Sequence, residues 1–512
     1  MKRNAIIKIY ATVLALCAMT FVSCNDWLRE PTPGTTELKD FFTSGTTCKQ
    51  SVIAAYHPLM WEYGGTYFSE WFIGDIASDD ALKGGENTGD MAAAYDMENF
   101  KTNASNQLLL DYYRAQYQGI SRCNLAIAYI PDVAVDDTMD ERLKSRLMGE
   151  AHFLRAYYYF RLVRLFGDVP MTTEPIVSSE EWKNYPRVAK DRVYEQIISD
   201  LECAEECLWP RSEVSSEELG IATKGAAQAM LLKVNLYVGN ADEARQWGEK
   251  LISSGEYSLC ADYADNFTLE GENGVESVFE IQYTDDPMSD YGEGYGFSRG
   301  TFTMILTRSR SSAFGDSGWG FNKPTQNLYD EYEEGDPRRD ATIHNPTDEE
   351  IQTPEQEIYF GSRYLNRKYA LIGDDGKYVK LSHHARGPIN NKQIRYADVL
   401  LMYAEACLAS GVDVAKGETA LNEVRSRVGL DAVSLTWESL RHERRVELAM
   451  EGHRWFDLCR WGIAKEVMDA YKAQETPEAR AEMAEFVAGK HELMPIPAEE
   501  VRLGGLTQNP GY

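Results

Sequence analysis

Residues 441–461 read Arg-His-Glu-Arg-Arg-Val-Glu-Leu-Ala-Met-Glu-Gly-His-Arg-Trp-Phe-Asp-Leu-Cys-Arg-Trp. Glu443, Glu447 and Glu451 recur every four residues among Arg441, Arg444, Arg445 and Arg454, while Val446, Ala449 and Met450 supply an apolar i, i+3, i+4 stripe. The spacing predicts one helix whose acids and guanidinium groups pair along a face. Trp455, Phe456 and Trp461 bring bulky apolar surface alongside those charges. Such a segment is either a cluster of catalytic carboxylates or a packed, paired structural network. The structural reading is favoured, because every acid has several arginine partners, which keep a carboxylate ionised instead of poised to exchange a proton.

Working outward, residues 141–166 form a clear helical pattern: Leu143, Leu147, Ala151, Leu154, Tyr158, Leu162 and Leu165 step by four or three, and Gly167 and Pro170 end it. Two later stretches read as helix pairs joined by short glycine turns. One runs from Ala226 to Val238 and from Ala241 to Ile252; the other runs from Ile394 to Ala409 and on through Val428. The pairs are tetratricopeptide-like, without the strict period of about 34 residues. Between them, over 255–390, the texture changes. Val278 to Thr284 alternates like a half-buried strand. Residues 290–320 mix seven glycines with Tyr291, Tyr295, Phe297, Phe302, Phe314 and Trp319. Aromatic loops on a rigid scaffold are where binding tends to reside.

Four further blocks join the opening stretch in a resemblance. They are Gly149-Glu150-Ala151 through Phe160 and on to Phe166-Gly167-Asp168-Val169-Pro170; Asp336-Pro337-Arg338-Arg339-Asp340; Ile394 through Ala406; and Leu493-Met494-Pro495-Ile496-Pro497 with Gln508-Asn509-Pro510-Gly511-Tyr512. In this order they resemble the SusD/RagB family, surface-exposed glycan-binding lipoproteins of Bacteroidetes-type bacteria. The resemblance implies a mainly α, SusD-like fold, with tetratricopeptide-like helix pairs as scaffold (41–254 and 391–512). A central loop- and strand-rich insertion (255–390) would carry the binding site. It also implies a partner, a SusC-like TonB-dependent outer-membrane transporter, over whose mouth the lipoprotein lies as a lid.

The chain opens with an export signal. Lys2, Arg3 and Lys8 precede a short apolar run from Ile9 to Val22, too short to span a bilayer, and Ser23-Cys24 follows. This reads as a signal peptide over 1–23 and lipid attachment at Cys24, with residues 24–40 as a tether; an ordinary secretory signal with a free thiol is the alternative. Removing 1–23 takes away three positive charges and no acids, so the net charge moves from −29 to −32. So acidic a body argues against nucleic acid and anionic lipid as direct ligands. Beyond Cys17 and Cys24, seven cysteines remain, an odd number that leaves at least one unpaired. Cys203 and Cys207 lie four apart on a helix, poor disulfide geometry, while Cys123, Cys407 and Cys459 read as small buried hydrophobes.

A sugar ring offers a flat face of C–H groups and a rim of hydroxyls, so it needs an aromatic platform and polar partners. Two regions combine both: Trp61 to Tyr95, and the 290–320 loop with Arg299, Arg308 and Arg310 nearby. The candidate ligand contacts are Lys83, Asn87 and Tyr95 from the first region and Tyr291, Tyr295 and Trp319 from the second. Trp61 and Trp71 read as buried. Asp75, Asp79 and Asp80 resemble a largely structural segment that caps a helix or binds calcium; without EF-hand spacing no metal is expected, and no cofactor. Catalysis is disfavoured: no GxSxG, HExxH or Walker sequence occurs, and His383-His384 lacks a partner pattern. The expected function is capture of a glycan and its delivery to the transporter. The alternatives are RagB-like capture of peptides and, further off, glycoside hydrolysis.

Overall fold

A computed structural model describes residues 41–61, 70–176, 181, 183, 185–285, 299–373, 375–383 and 386–512. The proposed signal and tether therefore lie outside the described residues. Near the N-terminal end, α1 (Gly45–Tyr56) begins at Ser44, whose hydroxyl accepts from Thr47 N in a capping box. Helix α2 (Glu70–Ile76), strand β1 (Ala81–Gly84) and α3 (Ala92–Glu98) follow. Then come the long α4 (Gln107–Tyr129) and α5 (Glu141–Phe166). Helix α5 spans the predicted residues: Asp140 caps it by accepting from Leu143 N at 2.7 Å, and Gly167 leaves it with φ 70°. It is buried on nearly every side, through Phe153, Tyr158, Tyr159 and Phe160, because α4 and α6 (Lys190–Cys207) both pack on it.

The helix pairs are present. Helices α7 (Lys224–Tyr237) and α8 (Ala241–Ser254) form the first. After α9 (Thr303–Thr307) and α10 (Pro337–Thr342) in the insertion, α11 (Tyr396–Ser410) and α12 (Val414–Arg427) form the second. Helix α8 packs on α11, and Gly248 permits the close approach: a Cβ there would sit 2.8 Å from the Tyr403 ring. In the insertion, β2 (Ser277–Ile281) pairs antiparallel with β4 (Asn391–Arg395), and β3 (Phe321–Pro324) pairs with β1. Strand β2 is fully buried, where alternation predicted a half-buried one: Phe279 packs edge-on against Phe153 at 5.0 Å, and Glu280 pairs with Lys392 on β4. A mainly α architecture with a few short strands results.

The decisive stretch departs from the expectation of one helix. Helix α13 (Trp437–Leu448) stops before Ala449, Met450 adopts φ 64°, and α14 (Arg454–Arg460) starts afresh. Nor do its acids pair along a face. Glu443 bonds Arg338 at 2.5 Å and Arg425 at 2.9 Å; Glu447 bonds Arg338 (3.0 Å), Arg395 (2.9 Å) and Arg427 (2.6 Å). Glu451 bonds Arg395 at 2.8 Å and Lys368 at 2.6 Å, and Glu276 closes the set through Arg395 and Arg427. The arginines come from α10, β4 and α12, so the network joins distant segments instead of stabilising one helix. The guanidinium groups hold Glu447 well below the usual carboxylate range and Glu451 at about 2. The structural reading of this stretch fits: the acids are fully buried and each is neutralised.

The same logic places the aspartates before β1. Asp80 accepts from Arg445 Nε and Asp79 from Arg454 Nε, both at 2.8 Å, so guanidinium groups occupy the place a calcium ion would need. Asp75 accepts from Asn322 Nδ2 and Gly452 N, each at 2.9 Å, and burial pushes its carboxyl up to about 7. Trp61 is partly buried beneath the Arg122 guanidinium, while the Trp71 side chain lies outside the described residues. Cys123 and Cys407 are buried and Cys459 half-buried, all three as free thiols. Among the described residues no helix is long and apolar enough to cross a membrane.

Candidate functional site

The two sequence regions rich in rings and polar groups meet through β1 and β3. Ala81 faces Pro324, Leu82 faces Lys323 and Gly84 faces Phe321, and Gly85 N extends the pairing to Gly320 O at 2.8 Å. The approach demands glycine: at Gly84, with φ 76°, a Cβ would lie 2.2 Å from Gly320 O. Beyond this pairing the chain turns. Asn87 Oδ1 accepts from Gly89 N at 2.9 Å and Asp90 N at 3.1 Å, an Asx-type turn, and the Asp90 carboxylate accepts from Glu86 N at 3.0 Å. Asn87 is exposed, and among the described residues its amide nitrogen has no bonded partner, so it is free to donate to a hydroxyl.

Trp319 stands on the facing loop, half-buried, its ring edge-on to Phe302 at 5.1 Å. Its backbone N–H donates to Ile305 O at 2.8 Å, which fixes the residue to α9. Arg310 ties the two loops together: it donates to Trp319 O at 3.1 Å and reaches Glu86 at 3.4 Å. Asn87, Glu86, Arg310 and Trp319 thus share one neighbourhood, offering a ring surface with a donor, a carboxylate and a guanidinium at its rim.

Two predicted contacts are placed differently. Lys83 is fully buried, contrary to its reading as a ligand contact. Its ammonium donates to Asn87 O at 2.9 Å and Asp90 O at 2.5 Å, beneath the loop. Tyr95 is 9% exposed, its ring stacked on Phe360 at 6.5 Å, so it belongs to the floor and not the rim. Tyr291 and Tyr295 lie outside the described residues. Arg308 is buried too, donating to Ala370 O at 2.9 Å and lying over Tyr378. Tyr359 and Phe360 were missed by sequence reasoning, although their pattern of adjacent rings followed by Gly361 matches the texture of 290–320.

Burial shapes the electrostatics of this floor. It pushes Lys83 down to about 8 and Glu98 up to about 8; Glu98 accepts from Lys83 N at 3.2 Å. Glu98 has the raised pKa a glycosidase acid requires, but it is 8% exposed and engaged behind the strand, away from any sugar resting on the loops. A cleft of about 710 Å³ lies elsewhere, among scaffold helices, lined by Arg164, Tyr194, Tyr237, Phe456 and Arg460; it contains none of the predicted site residues.

Residues 275–512 match the family model described as the SusD family. Residues 47–236 match a second model, described as starch-binding and associating with the outer membrane. A solved laminarin-binding SusD-like protein is 30% identical, with a TM-score of 0.80 over 92% of this chain and 100% of that one. The chain belongs to the SusD family. Another solved structure, surface glycan-binding protein A from Bacteroides thetaiotaomicron in complex with laminarihexaose, is 27% identical with a TM-score of 0.79, covering 91% and 100% of the two chains. SusD-like protein P2 of Formosa agariphila is 27% identical over 99% of this chain and all of its own length. The resemblance read from the five sequence blocks and the mainly α, SusD-like fold both stand.

Proposed function

We propose that this SusD-family chain captures an oligosaccharide between the 84–90 loop and the Trp319 loop without cleaving it, and hands it to a SusC-like TonB-dependent outer-membrane transporter. The observation that carries the reading is the β1–β3 pairing, which brings the loop of exposed Asn87 and Glu86 to the loop of half-buried Trp319, with Arg310 bonded to both Glu86 and the Trp319 carbonyl. An indole face with hydroxyl-binding groups around it suits a sugar. The laminarin ligands named for two related structures support a glycan as cargo. The helical pairs then serve as the docking body for the transporter, and mobility of the lid gates entry.

Binding is tested by titrating the protein calorimetrically with laminarin, starch, other polysaccharides and peptide digests, and by assaying for new reducing ends. Retention of at least one glycan without new reducing ends is expected. Release of reducing ends points to a hydrolase, and capture of peptides alone points to the RagB-like reading; either overturns the proposal.

Attachment is proposed through lipid on Cys24, since several acyl chains on one residue give the stable anchorage a single chain does not. Cys24→Ala is expected to move the protein from the membrane fraction to the soluble one. A variant that sediments with membranes as the wild type does removes lipid anchoring from the account.

A further inference from the structure

Lys83 sits in β1, yet its side chain runs beneath the adjoining loop. Its backbone is fixed by the pairing with β3 and by the N–H bond to Glu98. Its ammonium is held by the carbonyls of Asn87 and Asp90, the two ends of the turn that Asn87 itself closes. Three rings surround the rest: Tyr359 at 5.2 Å, Phe321 at 5.4 Å and Tyr95 at 5.9 Å from the nitrogen. Among the described residues no carboxylate lies within ion-pairing distance of it. A buried cation without a contact ion pair is costly, and here loop carbonyls, ring faces and the more distant Glu98 and Asp90 carboxyls offset that cost.

We propose that Lys83 is the positioning residue of the ligand-binding loop: by drawing the Asn87 and Asp90 carbonyls inward, it turns the Asn87 amide outward to face cargo. The inference rests on the glycan-binding reading of the same loop. It assigns Lys83 no contact with the ligand.

The latch works only while the ammonium is charged, because a neutral amine loses the charge-assisted donation and the attraction to the rings. Burial holds its pKa at about 8, so the latch loosens as pH rises through that value. Other titratable groups face it. Glu98 on α3, also near 8, lies behind the strand; Asp90 is on the loop; the Tyr95 and Tyr359 phenols are raised by burial above this range. Lys101 lies over the Tyr95 ring, and Lys323 on β3, paired opposite Leu82, is likewise held at about 8 by burial. Glu98→Gln removes the carboxyl beside Lys83 that titrates in the same interval while keeping an oxygen to accept from Lys83 N.

Lys83→Met keeps the apolar stem and removes the charge, a change that cores tolerate when packing is kept. Hydrogen exchange on the full chain at pH 7 is expected to show amides of 84–91 exchanging about tenfold faster in the variant, a local opening that leaves the rest protected. Laminarin affinity is expected to weaken about tenfold. In the wild type and in Glu98→Gln, loop protection, corrected for the intrinsic pH dependence of exchange, falls between pH 7 and 9; in Lys83→Met it is flat. Unchanged loop exchange in Lys83→Met, or a pH dependence that disappears with Glu98→Gln, overturns the latch. Exchange reads the loop without any sugar, so failure of the wild type to bind a glycan removes the functional reading and leaves this test standing.

Discussion

Glu447→Ala is expected to lose about 3–5 kcal/mol of folding stability, a large share of the roughly 5–15 kcal/mol that holds a typical domain folded. Glu447 is buried completely and bonded to Arg338, Arg395 and Arg427, which come from three other segments. Truncation leaves three desolvated guanidinium groups sharing the remaining acids. A surface ion pair is worth a fraction of this, because water replaces the lost partner there. Urea unfolding followed by circular dichroism measures the effect, and a variant within 1 kcal/mol of the wild type would falsify the hub. Acid probes the buried carboxylates of residues 441–461 without mutation. Glu451 and Asp457 are held at about 2 by the arginines facing them. Their folded values lie below their unfolded ones, so their contribution is present in full above the ordinary carboxylate range. It is lost as pH falls from that range toward 2.

Trp319→Ala is expected to cost about 2 kcal/mol of glycan affinity, roughly thirtyfold, with little change in stability. The indole is half-buried, and its backbone is held independently of the ring by Ile305 O and by Arg310. Truncation therefore removes the platform while the loop keeps its course. Calorimetry with whichever polysaccharide the wild type retains reads the loss. Affinity equal to the wild type's, with wild-type binding intact, moves the site away from this loop pair.

Much of the scaffold was legible because its signals are local. Helix α5 carries its periodicity, its cap at Asp140 and its stop at Gly167 within one stretch. The pairs α7–α8 and α11–α12 announce themselves through glycine turns. The charge network was legible as a network and illegible in its wiring. Glu443 finds Arg338 105 positions away, and no spacing rule reaches so far. The break at Met450 follows from the same cause, since Glu451 turns to Arg395 and Lys368 instead of continuing the helix.

The site shows a similar division. Asn87, within a glycine-rich polar run, reads as a ligand contact and is exposed. Lys83, in the same run, was read alike and is buried, because the strand that covers it lies some 240 residues further along. Local texture marks a loop; only pairing across the chain decides which of its side chains meet water. Tyr95 fails as a rim residue for that reason, its neighbour Phe360 arriving from the insertion.

The wiring of Glu447 has a bearing on the order in which the polypeptide can close its core. Its partners at 338, 395 and 427 are synthesised before it; Arg338 already has Asp336, and Arg395 and Arg427 already share Glu276, but among the described residues no earlier acid joins all three. Until residue 447 has been made, these three segments lack the one carboxylate that bonds all of their guanidinium groups. Final closure of this buried cluster therefore waits for residue 447 to be made.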